Sequence, residues 1–126
     1  MFGKRWLAIG MALFAFALMP SAFAKDASDY RPKAEAGDAK AQYHLGYCYA
    51  RGIGVKKDLA QAVIWFHKAA EQGNANAQFQ LGNAFRYGKG VEKDKEEAKE
   101  WYEKAAKQGH KKAKEALEEM EFDLFD

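Results

Sequence analysis

The chain contains one cysteine, no threonine and, past its first 24 residues, a single serine. A lone Cys48 excludes an intramolecular disulfide, so stability must come from packing. Ser28 stands in neither a Ser-x-x-Lys nor a Gly-x-Ser-x-Gly setting, which leaves serine acyl transfer without a nucleophile. The apolar run Leu7–Met19 falls short of the about 20 residues that a membrane-spanning helix needs. An excess of one charge is missing too. The whole chain has 20 basic and 18 acidic residues, and setting aside Lys4 and Arg5 leaves 18 against 18. Balanced, interleaved charge lacks the basic field that gathers phosphate backbones, which argues against nucleic acid as partner.

Lys4 and Arg5 head a stretch with the layout of a secretory signal peptide. The apolar run follows them, then Pro20, Ser21 and the triplet Ala22, Phe23, Ala24, which places cleavage after Ala24. No cysteine stands directly after the run, so a lipoprotein attachment site is not expected. A periplasmic or secreted protein is expected, with no integral membrane segment once the signal is removed.

What the chain does have is a period of 36 residues. Residues 37–72 and 73–108 align without a gap, and 17 of the 36 positions are identical. A period of this size marks stacked supersecondary units, which offer an extended surface to a partner rather than a deep catalytic cleft. Each unit reads as two helices. Ala41, Leu45 and Tyr49 recur four apart, as do Ala77, Leu81 and Phe85. Gly52 and Gly54, or Gly88 and Gly90, then end the helix, and Asp58 or Asp94 stands where the next N-cap is wanted. The second helix carries Ala62, Trp65 and Ala69, or Ala98, Trp101 and Ala105. Gly46 and Gly82 lie inside first helices, which predicts another helix crossing closely there, with Trp65 and Trp101 filling the space between units.

The flanks supply half units. Residues 25–36 read as an N-terminal cap: a helix from Asp29 to Ala36, Pro32 in its first turn, Tyr30 in register with Phe66 and Tyr102, and residues 25–28 loose. Residues 109–126 read as a capping helix and tail with the stripe Ala113, Leu117, Met120, Leu124. Phe122 and Phe125 lie off that stripe. Folding back on the last repeat is the favoured reading for them, and an exposed docking patch is the other.

The segments AQYHLGYCYARGIGVKKD and AVIWFHKAAEQG, with their second copies, resemble the Sel1-like repeat family: an Ala-x-x-x-Leu-Gly helix, a Gly-x-Gly-Val turn, an Asp, then an Ala-x-x-Trp helix ending in Lys-Ala-Ala. The resemblance implies an all-α fold: an α/α solenoid of two helix-turn-helix repeats with half-repeat caps, related to tetratricopeptide repeats and wound as a right-handed superhelix. It also implies a protein-binding scaffold, adaptor, regulator or inhibitor, which in exported bacterial members works in the cell envelope. A cysteine-rich branch of the family is linked to penicillin binding and β-lactamase-like activity. A small cell-envelope enzyme is therefore the alternative, although this chain lacks that branch's paired cysteines.

In the similar tetratricopeptide pattern the first helix lines the concave face. Carrying that register over places Lys40, Tyr43, His44, Tyr47, Ala50 and Arg51 of the first unit on the inner surface, with Asn76, Phe79, Gln80, Asn83, Arg86 and Tyr87 of the second. Tyr47, Arg51, Arg86 and Tyr87 differ between the copies, so the repeat itself does not demand them, and Tyr and Arg dominate many interfaces. His44 precedes Cys48 by four and can share its helix face, a geometry open to a reactive thiol or two metal ligands. Cys48 aligns with the small residue Ala84, however, and packing is the preferred reading. His67 and His110 show no ligand spacing, so neither metal nor cofactor is expected. The signal-peptide reading predicts that the exported protein starts at Lys25. Intact-mass measurement on protein from an envelope extract checks this, and a different mature start would move the boundary.

Overall fold

The computed structural model describes residues 25–123, which form six helices and, among these residues, no strand. They are α1 (Ala27–Glu35), α2 (Ala39–Arg51), α3 (Leu59–Glu71), α4 (Ala75–Tyr87), α5 (Lys95–Lys107) and α6 (Lys111–Asp123). The principal contacts join each helix to the next in sequence, giving an all-α solenoid of two helix pairs, α2–α3 and α4–α5, flanked by α1 and α6. The signal-peptide segment and Phe125 lie outside the described residues.

Side-chain oxygens start the helices of both units. Asp38 and Asn74 accept from the Ala41 and Ala77 amides, and Asp58 and Asp94 from those of Gln61 and Glu97. Gly52 and Gly88 end α2 and α4 in the left-handed region, at φ +70° and +65°, where their amides bond the Cys48 and Ala84 carbonyls.

Within each unit the two helices meet at a glycine. A Cβ on Gly46 would lie 2.8 Å from Cδ1 and Cε1 of Phe66, and one on Gly82 only 2.6 Å from the same atoms of Tyr102. The aromatic ring thus rests on bare backbone, and Leu45 and Leu81 beside it are fully buried. Between units the tryptophans fill the gap as expected. Trp65 packs with Ala27, Ala34, Ala41, Leu45 and Cys48, and Trp101 with Ala69, Ala70, Ala77 and Leu81. Lys68 and Lys104 lie over these indoles at 4.3 Å and 4.0 Å, at the same position of each unit.

A polar relay, identical in both units, crosses each junction. Buried Gln42 donates to the Ala34 carbonyl near the end of α1 (3.1 Å) and accepts from Gln72 (2.7 Å). One period later, buried Gln78 donates to Ala70 (3.2 Å) and accepts from Gln108 (2.9 Å). Each amide adds a second donor to a helix-end carbonyl that already accepts from the Gly37 or Gly73 amide, and the buried glutamine side chains are themselves satisfied.

The cap differs from the sequence expectation in two ways. Residues 25–28 are not loose: Asp26 is the N-cap of α1 in a reciprocal capping box with Asp29, Ala27 is fully buried, and its amide donates to the Ile53 carbonyl. With the helix starting at Ala27, Pro32 falls in its interior rather than its first turn. At the other end Ala113 and Ala116 are buried while Leu117 and Met120 are half-buried. Phe122 is 78% exposed, which corrects the fold-back reading for that residue.

Gly82→Ala is expected to destabilise the fold by about 1 to 3 kcal/mol, because the fully buried Tyr102 ring has nowhere to recede. That exceeds the gain of about 1 kcal/mol that alanine brings to a helix interior. Urea unfolding midpoints decide it, and an unchanged or raised midpoint would refute the close-packing account.

Candidate peptide-binding groove

A groove of about 450 Å³ opens between α2 and α4, with α3 as its floor. Ala50 and Arg51 at the end of α2 form one wall. Leu59, Ala62, Val63 and Phe66 of α3 make an apolar base, and Gln80, Asn83, Ala84 and Tyr87 of α4 form the other wall. Lys57 and Lys89 stand at its rim. A shallower cleft lined by Tyr43, Asn76, Phe79, His110, Lys111 and Lys112 continues from it through the shared Gln80. Along α4 the lining residues Asn76, Gln80, Asn83 and Tyr87 are spaced four, three and four, a single helix face.

Neighbouring side chains hold the lining in place. The Tyr102 hydroxyl donates to Asn83 Oδ1, which leaves the Asn83 amide nitrogen as the donor available to a ligand. Burial pushes the Tyr102 phenol up to about 12, so it stays protonated and keeps donating. Arg51 lies over the Tyr47 ring at 5.4 Å, and Lys89 over Tyr87 at 5.7 Å. Tyr87 itself is 54% exposed. In the adjoining cleft Phe79 stacks on His110 at 4.8 Å. The Ala113 amide donates to His110 Nδ1, which caps α6, so Nε2 carries the proton and donates to Asn76 Oδ1 at 2.9 Å.

The sequence-derived residues fall into three groups. Tyr43, Arg51, Asn76, Phe79, Gln80, Asn83 and Tyr87 line the groove or its extension, with Tyr47 supporting Arg51 from behind. Lys40 and His44 lie apart, in a cleft beside α1 where His44 stacks on Tyr30 at 4.8 Å. Arg86 is turned inward. Its side chain is 12% exposed and bridges Glu119 (3.0 Å) and Asp123 (3.5 Å) of α6. This bridge lies at the place in the second unit that corresponds to the groove in the first. Arg86, Lys95 and Lys99 stand there one period beyond Ala50, Leu59 and Val63, and the small cleft they line also holds Glu96, Glu121 and Asp123.

Of the groove floor, Ala62 and Phe66 were singled out from sequence only as repeat positions, and Leu59 and Val63 not at all. Their signal lay in the copies: Leu59 and Val63 are apolar where the second unit has lysine, a contrast that repeat packing does not require. Cys48 is buried, and burial raises its thiol pKa, with Asp26 and Asp29 adding to the effect. It packs as a small hydrophobe, and its environment opposes thiolate formation.

Stacked helix pairs joined each to the next define an α-solenoid repeat domain. The Sel1 repeat family model matches residues 39–74 and 75–110, and the chain belongs to that family. Sel1 repeat proteins are generally protein-interaction modules. A relative from Escherichia coli, the secretory immunoglobulin A-binding protein EsiB, is 44% identical over 57 residues, which is 45% of this chain and 12% of EsiB. A Sel1 repeat protein from Oxalobacter formigenes superposes with a TM-score of 0.72 at 42% identity, over 74% of this chain and 27% of that one. Cysteine-rich protein B of Helicobacter pylori superposes at 0.69 with 30% identity, over 72% and 68%. The chain thus spans about an eighth of EsiB and about a quarter of the Oxalobacter protein. No described helix is long and apolar enough to cross a membrane.

Burial, with Lys40 and Lys25 beside His44 and Lys112 beside His110, pushes both imidazoles below their ordinary range. The folded protein therefore binds fewer protons than the unfolded chain, and stability falls as pH drops from about 6.5 towards the depressed folded values. The thermal midpoint is expected to fall between about pH 7 and about pH 5, and less steeply in His110→Asn, which keeps a capping oxygen. A midpoint constant over that interval would contradict the assignment of neutral, half-buried histidines.

Proposed function

We propose that this chain is an exported, non-enzymatic binding module that holds an extended segment of a partner protein in the groove between α2 and α4. The observation that carries this reading is the contrast between the two units. In the first, an apolar floor lies open beneath a stripe of amide side chains; in the second, lysines replace the floor and Arg86 ties the wall to α6. Arg51, Gln80, Asn83 and Tyr87 make direct contact, while Tyr43, Asn76 and Phe79 extend the surface. Tyr47 positions Arg51, and Lys40 and His44 flank the site. Arg86 acts by closing the second cleft.

Two repeats span too little surface to gather many proteins, which suits a regulator or inhibitor of one partner better than a scaffold for many. Export rests on the signal-like leader ending at Ala24. It is supported by two similar proteins: EsiB, named for binding secretory immunoglobulin A, and a protective antigen of uropathogenic Escherichia coli with a TM-score of 0.65 and 46% identity over 66% of this chain and 18% of that one. The β-lactamase-like alternative gains no support, since it leaned on a cysteine-rich branch and this chain has one buried thiol.

Val63→Lys tests the reading, since lysine already occupies the equivalent Lys99 position; because Val63 also packs against the Ala69, Ala77 and Leu81 cluster, the thermal midpoint is measured beside capture. Immobilised parent protein should retain a stoichiometric partner from an envelope extract, and Val63→Lys with Gln80→Ala should weaken capture at least about tenfold at an unchanged thermal midpoint. Equal recovery by the double variant would sink the groove assignment.

A further inference from the structure

The two connected clefts share a property that the chain as a whole lacks: they carry charge of one sign. Arg51, Lys57 and Lys89 line the groove, and Lys111 and Lys112 line its extension, with no carboxylate in either lining. The clefts at the two ends of the array are mixed, one holding Asp29 and Asp38 beside its lysines and the other Glu96, Glu121 and Asp123. Asp58, adjacent to the groove in sequence, is engaged as the N-cap of α3. The neutrality of the mature chain is a sum of unlike parts: residues 25–91 have ten basic and six acidic residues, and residues 92–126 have eight and twelve. The groove is built from the basic part.

We propose that the segment held in this groove is an acidic, extended peptide of about five residues whose bulky apolar side chain sits on Leu59, Val63 and Phe66 while flanking carboxylates pair with Lys57, Lys89 and Arg51. This deepens the binding-module reading and rests on it. The length follows from the α4 stripe. Asn76 to Tyr87 covers eleven residue steps, about 16 Å at the helical rise of about 1.5 Å, and an extended chain rises about 3.3 Å per residue. Gln80 and the free amide nitrogen of Asn83 offer donors and an acceptor to peptide backbone along that line. The rim cations are exposed and face no acidic neighbour in the lining, so a carboxylate gains attraction there without displacing an existing pair. The apolar floor distinguishes this site from a plain anion-collecting surface.

Amide-detected NMR titration of the full mature chain with two synthetic probes tests the proposal: an acetylated Glu-Asp-Phe-Asp-Glu peptide amide and its neutral counterpart, Gln-Asn-Phe-Asn-Gln. The acidic probe should shift the side-chain amides of Gln80 and Asn83. Its affinity should weaken at least about fivefold between about 50 mM and about 500 mM salt, as screening tightens. Lys57→Glu with Lys89→Glu, both exposed, should abolish saturation while leaving the thermal midpoint in place. If the neutral probe shifts the same resonances with equal affinity, the groove reading stands and the acidic inference falls. If neither probe touches Gln80 or Asn83, both fall. Groove resonances that move with protein concentration alone would assign the site to a second copy, and an oligonucleotide of equal charge that competes equally would remove the peptide specificity. Either result overturns the proposal.

Discussion

The separation between the two helices of each unit is set by one contact, an aromatic ring lying on a glycine. Gly46 under Phe66 and Gly82 under Tyr102 let the helices approach to a distance that any Cβ would prevent. Much else depends on it. The close crossing buries Leu45 and Leu81 completely, and in the second unit it sets the Tyr102 hydroxyl against Asn83. The same ring that fixes the helix spacing in the core therefore orients a side chain on the groove wall. In the first unit Phe66 has no hydroxyl, and its ring serves the floor of the groove instead.

If the glycine crossing sets the pair, the glutamine relay sets the stack. Gln42 and Gln78 each reach back to a carbonyl near the end of the preceding helix and forward to a glutamine of their own unit. Both ends of the amide are used, so a slip of one unit against another would strand a buried polar group, at about 1 to 3 kcal/mol. On this repeated frame the two units diverge only where packing allows. Leu59 and Val63 became Lys95 and Lys99, Ala50 became Arg86, and the outcome is one open groove and one closed seam.

The helix pairs, the Gly-x-Gly turns, the Asp58 and Asp94 caps and the tryptophan junctions were all legible in the repeat, because each rests on local chemistry that recurs at a fixed offset. Gln42 and Gln78 were equally visible as identities, yet glutamine reads as a surface residue until its carbonyl partner eight residues back is placed beside it. Arg86 was chosen for its difference between copies, and that difference was real. Its cause lies 33 residues on, in Glu119, where no periodicity connects the two. The start of α1 escaped for a similar reason. Ala27 is held by Ile53, a loop residue whose position only the folded stack defines.

The helices touch chiefly their neighbours in sequence, and this bears on how the molecule answers mechanical load. A pull applied between α1 and α6 passes along the successive junctions, with α4 also tied directly to α6 by the Arg86 bridge to Glu119 and Asp123. Extension is then shared along the array, with each junction a small spring. A partner seated across α2, α3 and α4, as proposed, would clamp the middle springs together, so that occupancy of the groove would stiffen the array that carries it.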